Sequence, residues 1–107
     1  MYTEQVVESI GTFTPTTDGY VGTIRTLTMR AKLRLVAIDK KQRDDQPDFK
    51  IMLGLHEVGA AWKYKSHENN PREYLSAAID DPMFAEPLRG ALFEESGNLN
   101  FVWRRKA

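Results

Sequence analysis

Cationic and aromatic side chains alternate in one short stretch, at Lys63, Tyr64 and Lys65, and return at Arg72 and Tyr74. Cations attract phosphate groups and aromatic rings stack on bases, a combination typical of surfaces that bind single-stranded nucleic acid. Tyrosine and arginine are also common anchors of protein–protein interfaces. These residue types therefore indicate a non-covalent binding surface, and its partner stays open between nucleic acid and protein.

Four further cations, Arg25, Arg30, Lys32 and Arg34, lie on segments that are predicted to be consecutive strands, whereas the acidic residues concentrate in 39–48 and 80–95. A protein of zero net charge can present one positive face when its charges are segregated in this way, and such a face attracts phosphates. The candidate nucleic-acid or partner-binding residues are therefore Arg25, Lys32, Arg34, Lys63, Tyr64, Lys65, Arg72 and Tyr74.

Residues that could support catalysis or hold a metal ion are few and poorly arranged. The chain has no cysteine, which excludes thiol catalysis and thiolate metal sites. His56 and His67 lie in predicted loops and lack the spacing of a metal-binding motif. Acidic doublets at 44–45, 80–81 and 94–95 place neighbouring carboxylates on opposite sides of an extended chain. We therefore predict that the protein is not an enzyme, and we expect no catalytic residue, metal or cofactor.

The candidate binding residues are positioned by short runs of alternating apolar and polar residues. A period of two is what a half-buried strand requires, and runs spaced by about 8–12 residues predict a small sandwich or barrel. We expect an all-β, mainly antiparallel fold of seven to eight strands, with at most one helical turn near Pro82–Ala85. The predicted strands are 10–14, 20–29, 31–39, 49–53, 58–65, 74–80, 88–94 and 99–104.

The clearest hairpin signal runs from Glu57 to Asp81, where two strand-like runs flank a polar turn containing Asn and Pro. Alternation within this hairpin assigns one side of each strand to the core. The predicted core residues of the hairpin are Val58, Ala60, Trp62, Leu75, Ala77 and Ile79.

The chain of 107 residues, with 15 basic and 15 acidic side chains, has the length of one domain. We predict a single β domain over 10–105, preceded at 1–9 by a flexible leader or an added edge strand. No signal-peptide pattern and no apolar run of about 20 residues is present, so a cytoplasmic protein without a membrane partner is expected.

Six motifs occur in order over nearly the whole chain: IGTFT, DGYVGTIRTLTM, PDFKIMLG, EVGAAWKYKS, REYLSAAIDDP and FVWRR. Together they resemble the domain of unknown function 736 family of small bacterial proteins, over about Ile10 to Arg105. The resemblance implies a setting on plasmids and integrative conjugative elements, and it supplies no catalytic residues to transfer. The leader, the ENNP segment of the hairpin turn and Met83 depart from the family pattern.

That setting favours two functions. The first is a non-enzymatic accessory protein of a mobile genetic element that binds DNA through a basic and aromatic β surface. The alternative is a module that binds a host or mobile-element protein, such as an anti-CRISPR or anti-restriction inhibitor or a conjugation-machinery adaptor. The oligomeric state is open, and an edge strand would allow two copies to pair.

Overall fold

Eight antiparallel strands make up the fold. The computed structural model describes residues 7–39, 41–65, 73–82 and 84–104. The strands are β1 (Val7–Pro15), β2 (Gly19–Arg25), β3 (Arg30–Ala37), β4 (Phe49–Leu53), β5 (His56–Lys65), β6 (Glu73–Ile79), β7 (Leu88–Glu95) and β8 (Asn98–Arg104). Each strand pairs with the next one along the chain, and β8 pairs with β1, which closes a barrel. The predicted all-β fold is confirmed, and the closure decides for a barrel over a sandwich.

One side of each strand fills the interior of the barrel. In β6, Leu75, Ala77 and Ile79 are buried, as predicted, and the residues between them are partly exposed. Successive side chains of a strand point to opposite faces, so the period of two becomes an inside and an outside. The buried cluster consists of Phe13, Ile24, Leu33, Leu35, Ile51, Ala61, Leu75, Ala77, Ile79, Leu92, Leu99 and Phe101.

Two glycines make room for the two phenylalanine rings of this cluster. A Cβ atom on Gly22 would lie 2.7 Å from the Phe13 ring, well inside van der Waals contact. A Cβ atom on Gly90 would collide with the Phe101 ring. Glycine at position 22 allows this close approach, since the ring occupies the volume that a side chain would need.

In β5, the residues that face the barrel interior are not the ones that the sequence predicted. Ala61 is fully buried and lies opposite buried Ala77, so alternation places Ala60 and Trp62 on the outer wall. The prediction that Ala60 and Trp62 belong to the core was wrong. The reason is a bulge: the β4–β5 register skips Val58, which packs against the core and shifts the alternation that follows it.

Several boundaries differ from the predicted ones. β1 begins at Val7, so 7–9 belong to the barrel and pair with β8. β2 ends at Arg25, and a hydrogen bond of 2.8 Å from the Thr26 N–H to the Met29 carbonyl oxygen closes a loop over 26–29. The Thr, Leu and Met side chains of this loop have high or moderate strand propensity, and for that reason the sequence favoured a longer strand.

The turn between β7 and β8 is a two-residue hairpin turn. Ser96 and Gly97 have φ values of 54° and 86°, the left-handed conformation that such turns use. Near the predicted helical turn, the Phe84 N–H donates to the Asp81 carbonyl oxygen at 2.9 Å. That bond closes a single turn, and the described part of the chain contains no helix there.

The β3–β4 connection is fastened to β5 chiefly through Asp48. The Asp48 Oδ2 atom accepts the Lys63 backbone N–H at 2.9 Å, and its Oδ1 atom accepts Lys41 Nζ at 3.2 Å. These bonds, first of all that from the Lys63 amide, lower the pKa of the Asp48 carboxyl below its ordinary value of 3.8. The Trp62 indole N–H also donates to the Asp45 carbonyl oxygen, at 3.2 Å.

Barrel closure leaves all eight strands paired on both sides. An edge strand was predicted as the route by which two copies might pair, and the described strands offer none, because β1 and β8 cover each other. None of the described residues belongs to a helix that is long and apolar enough for a membrane span.

Candidate functional site

Five cations share the outer wall of β2, β3 and β4. They occupy strand positions that alternate with buried residues, such as Ile24, Leu33 and Ile51, and all five are exposed. We call this surface the basic face; its residues are Arg25, Arg30, Lys32, Arg34 and Lys50. Register brings them close, since Arg25 lies directly opposite Arg30 in the last pair of the β2–β3 ladder.

No acidic residue interrupts the basic face within its three strands, since β2, β3 and β4 contain neither Asp nor Glu. The ion pairs found among the described residues are Lys41–Asp48 and Arg43–Asp45, both outside this face. Arg34 makes only a long hydrogen bond, 3.5 Å, to the Gly54 carbonyl oxygen. The basic face therefore carries positive charge that no described carboxylate neutralises at short range.

The structure brings together three of the predicted residues, Arg25, Lys32 and Arg34, and places two others elsewhere. Lys63 lies opposite buried Leu75, so alternation assigns Lys63 and Lys65 to the inner side of the sheet, at the end of β5. Both side chains are exposed there because they lie at the rim of the barrel. Arg72 lies outside the described residues.

Tyr64 and Tyr74 lie on the outer wall, in a part of the barrel separate from the basic face. Their ring centroids are 6.1 Å apart, and the Tyr74 ring stacks on Phe93 at 5.4 Å. We call Tyr64, Tyr74 and Phe93 the aromatic row. Tyr64 is 53% exposed, a high value for a ring on a sheet. The predicted surface thus divides into a basic face on β2–β4 and an aromatic row on β5–β7.

Two members of the basic face, Arg30 and Lys50, were missing from the predicted site. Arg30 pairs with Arg25 only because β2 ends early, and the sequence favoured a strand that continued to Met29. Lys50 alternates with buried Ile51, a pattern that the sequence displays. The sequence did not link it to Arg34, because a long loop separates β3 from β4 and only the observed pairing shows that these two strands are neighbours.

The described residues contain no group of three His, Asp or Glu side chains that could hold a metal ion together. The basic face offers guanidinium and ammonium groups, which donate hydrogen bonds and accept none. Its chemistry is that of anion binding.

Comparison with known proteins identifies a family. No curated protein and no solved structure matches the chain. The family model described as "Protein of unknown function (DUF736)" matches residues 9–106, which is nearly the whole sequence. This match agrees with the resemblance that the six sequence motifs predicted. The chain therefore belongs to the DUF736 family.

Proposed function

We propose that the protein binds nucleic acid without catalysing a reaction, and that it does so through the basic face. The observation that carries this proposal is the group of five exposed cations on three adjacent strands, which form no ion pair with a carboxylate of the described residues. Phosphates of a nucleic-acid backbone release counterions when such cations neutralise them, and this release drives sequence-independent binding.

The aromatic row does not adjoin these cations, which favours contacts to the phosphate backbone over base stacking as the source of affinity. We further propose that the protein serves a bacterial plasmid or integrative conjugative element in the cytoplasm, where its DNA is handled. The resemblance of the motifs to proteins of such elements supports this setting.

Fluorescence anisotropy with a labelled duplex and a labelled single strand tests the proposal. If each of the five cations contacts one phosphate of a duplex, the slope of log K against log salt is about −4.5. The double variant Lys32→Gln/Lys50→Gln should reduce the steepness of that slope by about 1.8. Arg43→Gln is the matched control, since Arg43 already pairs with Asp45 at 3.0 Å outside the basic face. An absence of binding at low salt, or an unchanged slope in the double variant, would contradict the proposal.

The aromatic row favours a second candidate function, the recognition of a protein. The Tyr64 ring is half-exposed beside Tyr74 on an outer wall that faces solvent, and rigid tyrosines of this kind anchor interfaces. The partner would be a host defence protein or a component of a conjugation machinery. Affinity capture with the wild type and with Tyr64→Ala tests this candidate. Leu27→Ala, at a fully exposed site outside the aromatic row, is the control. A partner captured equally well by all three proteins would count against the aromatic row.

A further inference from the structure

An open groove of about 480 Å³ lies on the outer wall where β1, β2 and β3 meet. The described residues that line it are Ser9, Ile10, Gly11, Thr12, Thr23, Arg25 and Arg30. The volume falls in the range of about 300–1,000 Å³ that small-molecule sites occupy. The groove is therefore large enough for a ligand the size of a nucleotide.

Five of the described lining residues have side chains that can donate hydrogen bonds. Arg25 and Arg30 face each other across the β2–β3 ladder and contribute five N–H groups each. Ser9 and Thr23 add hydroxyl groups, and none of the described lining residues is a carboxylate. The Thr12 hydroxyl is hydrogen-bonded to Asn100 Oδ1 at 3.1 Å. Two planar guanidinium groups beside hydroxyls suit a doubly charged phosphate, which they can bind in bidentate fashion.

Irregular pairing of β1 shapes this groove. The β1–β8 register passes from Ser9 directly to Gly11, so Ile10 is the extra residue of a bulge. A bulge bends its strand and redirects the neighbouring side chains. Gly11 allows the close approach of β1 to β2, since a Cβ atom there would lie 2.6 Å from the Thr23 carbonyl oxygen.

We propose that this groove binds the phosphate monoester of a nucleotide, with Arg25 and Arg30 holding the phosphate and Ser9 and Thr23 completing its hydrogen bonds. The inference deepens the proposed nucleic-acid function, because Arg25 and Arg30 also belong to the basic face. A backbone phosphodiester carries one negative charge, whereas a terminal phosphate carries nearly two at neutral pH. The groove therefore distinguishes a phosphorylated strand end, or a free nucleotide, from the interior of a strand.

Two binding measurements separate these sources. The first compares a labelled single strand of about ten nucleotides carrying a 5′-phosphate with the same strand carrying a 5′-hydroxyl. We expect about tenfold tighter binding of the phosphorylated strand, from added charge-assisted hydrogen bonds. The second follows amide resonances of Gly11, Thr12 and Thr23 by NMR during titration with adenosine 5′-monophosphate, and with adenosine as the control.

Arg30→Gln should abolish the preference for the phosphorylated strand. Lys32→Gln is the matched control, since it removes one charge from the same strand at a residue outside the groove. It should weaken both oligonucleotides equally and keep their ratio. Arg30 and Lys32 are both exposed, so an unchanged unfolding midpoint in each variant checks that the fold is intact.

The outcomes are distinct. A preference for the 5′-phosphate that Arg30→Gln removes supports the inference with a strand end as the ligand. Shifts with adenosine 5′-monophosphate but not adenosine, without such a preference, support it with a free nucleotide as the ligand. If neither oligonucleotide binds, the proposed nucleic-acid function fails. The nucleotide titration alone then decides whether the groove binds a phosphate monoester. If the phosphate changes neither the affinity of the oligonucleotide nor the amide shifts in the nucleotide titration, the inference is overturned.

Discussion

The backbone N–H of Lys63 donates a hydrogen bond of 2.9 Å to the Oδ2 atom of Asp48, a residue 15 positions earlier. The other carboxylate oxygen of Asp48 binds Lys41 at 3.2 Å. One side chain thus joins the β3–β4 connection to the end of β5. A carboxylate with two charge-assisted or backbone hydrogen bonds contributes more to stability than an exposed ion pair does.

Replacing Asp48 by Ala should therefore destabilise the fold by about 1–3 kcal/mol, because both hydrogen bonds are lost and the Lys63 amide loses its acceptor. Urea unfolding followed by tryptophan fluorescence measures the change. Asp44→Ala, an exposed residue of the same loop, is the control and should alter stability by less than about 0.5 kcal/mol. Equal effects of the two substitutions would show that Asp48 does not hold the β3–β4 connection to β5.

The same carboxylate predicts a dependence of stability on pH. Its pKa in the folded protein is lower than 3.8, so the unfolded chain binds the proton more tightly. The contribution of Asp48 to stability is therefore complete above its unfolded pKa and is lost as pH falls through the lower folded pKa. The difference in unfolding free energy between wild type and Asp48→Ala should shrink between about pH 5 and pH 2. A difference that is constant over this interval would contradict the assignment.

Gly22→Ala should destabilise the barrel by about 1–3 kcal/mol, because the new methyl group overlaps the Phe13 ring and forces the core to repack. Gly54→Ala provides a comparison of a different kind. Gly54 has a φ of 61° and open space around it, so its substitution should cost only the strain of that conformation, about 1 kcal/mol. A Gly22→Ala protein as stable as the wild type would overturn this packing.

Tyr74 occupies the middle of the aromatic row, so Tyr74→Ala removes two ring contacts and Tyr64→Ala removes one. Each contact contributes about 0.5–1.5 kcal/mol, and the loss of stability should accordingly be larger for Tyr74→Ala. Chemical denaturation of both variants compares the two losses. If Tyr64→Ala proves the more damaging change, the row is not held together by stacking on Tyr74.

The sequence predicted those parts of the fold in which local pattern is sufficient. The alternation in β6 identified Leu75, Ala77 and Ile79 as core, which the structure confirms. It failed at β5, where a bulge at Val58 shifts the alternation. A bulge depends on pairing with a neighbouring strand, and a single strand's pattern carries no record of that pairing.

The sequence predicted only part of the candidate site, because the pattern of a single strand carries no record of its pairing with other strands. Arg25, Lys32 and Arg34 share a face because β2 and β3 form a regular hairpin, which the sequence displays. Lys63 was grouped with them because it is a cation, but its position depends on which residues of β5 face inward and on which strands are neighbours. These are properties of the closed barrel.

Pairing of β1 with β8 also determines at which stage of folding the groove can form. The hydrogen bond between Thr12 and Asn100 joins residues 88 positions apart, and such distant contacts form late and slowly in folding. The bulge at Ile10 is defined by its register with β8. A newly made chain that lacks this final strand therefore has an open β1 edge and no finished groove, so ligand binding reports completion of the barrel.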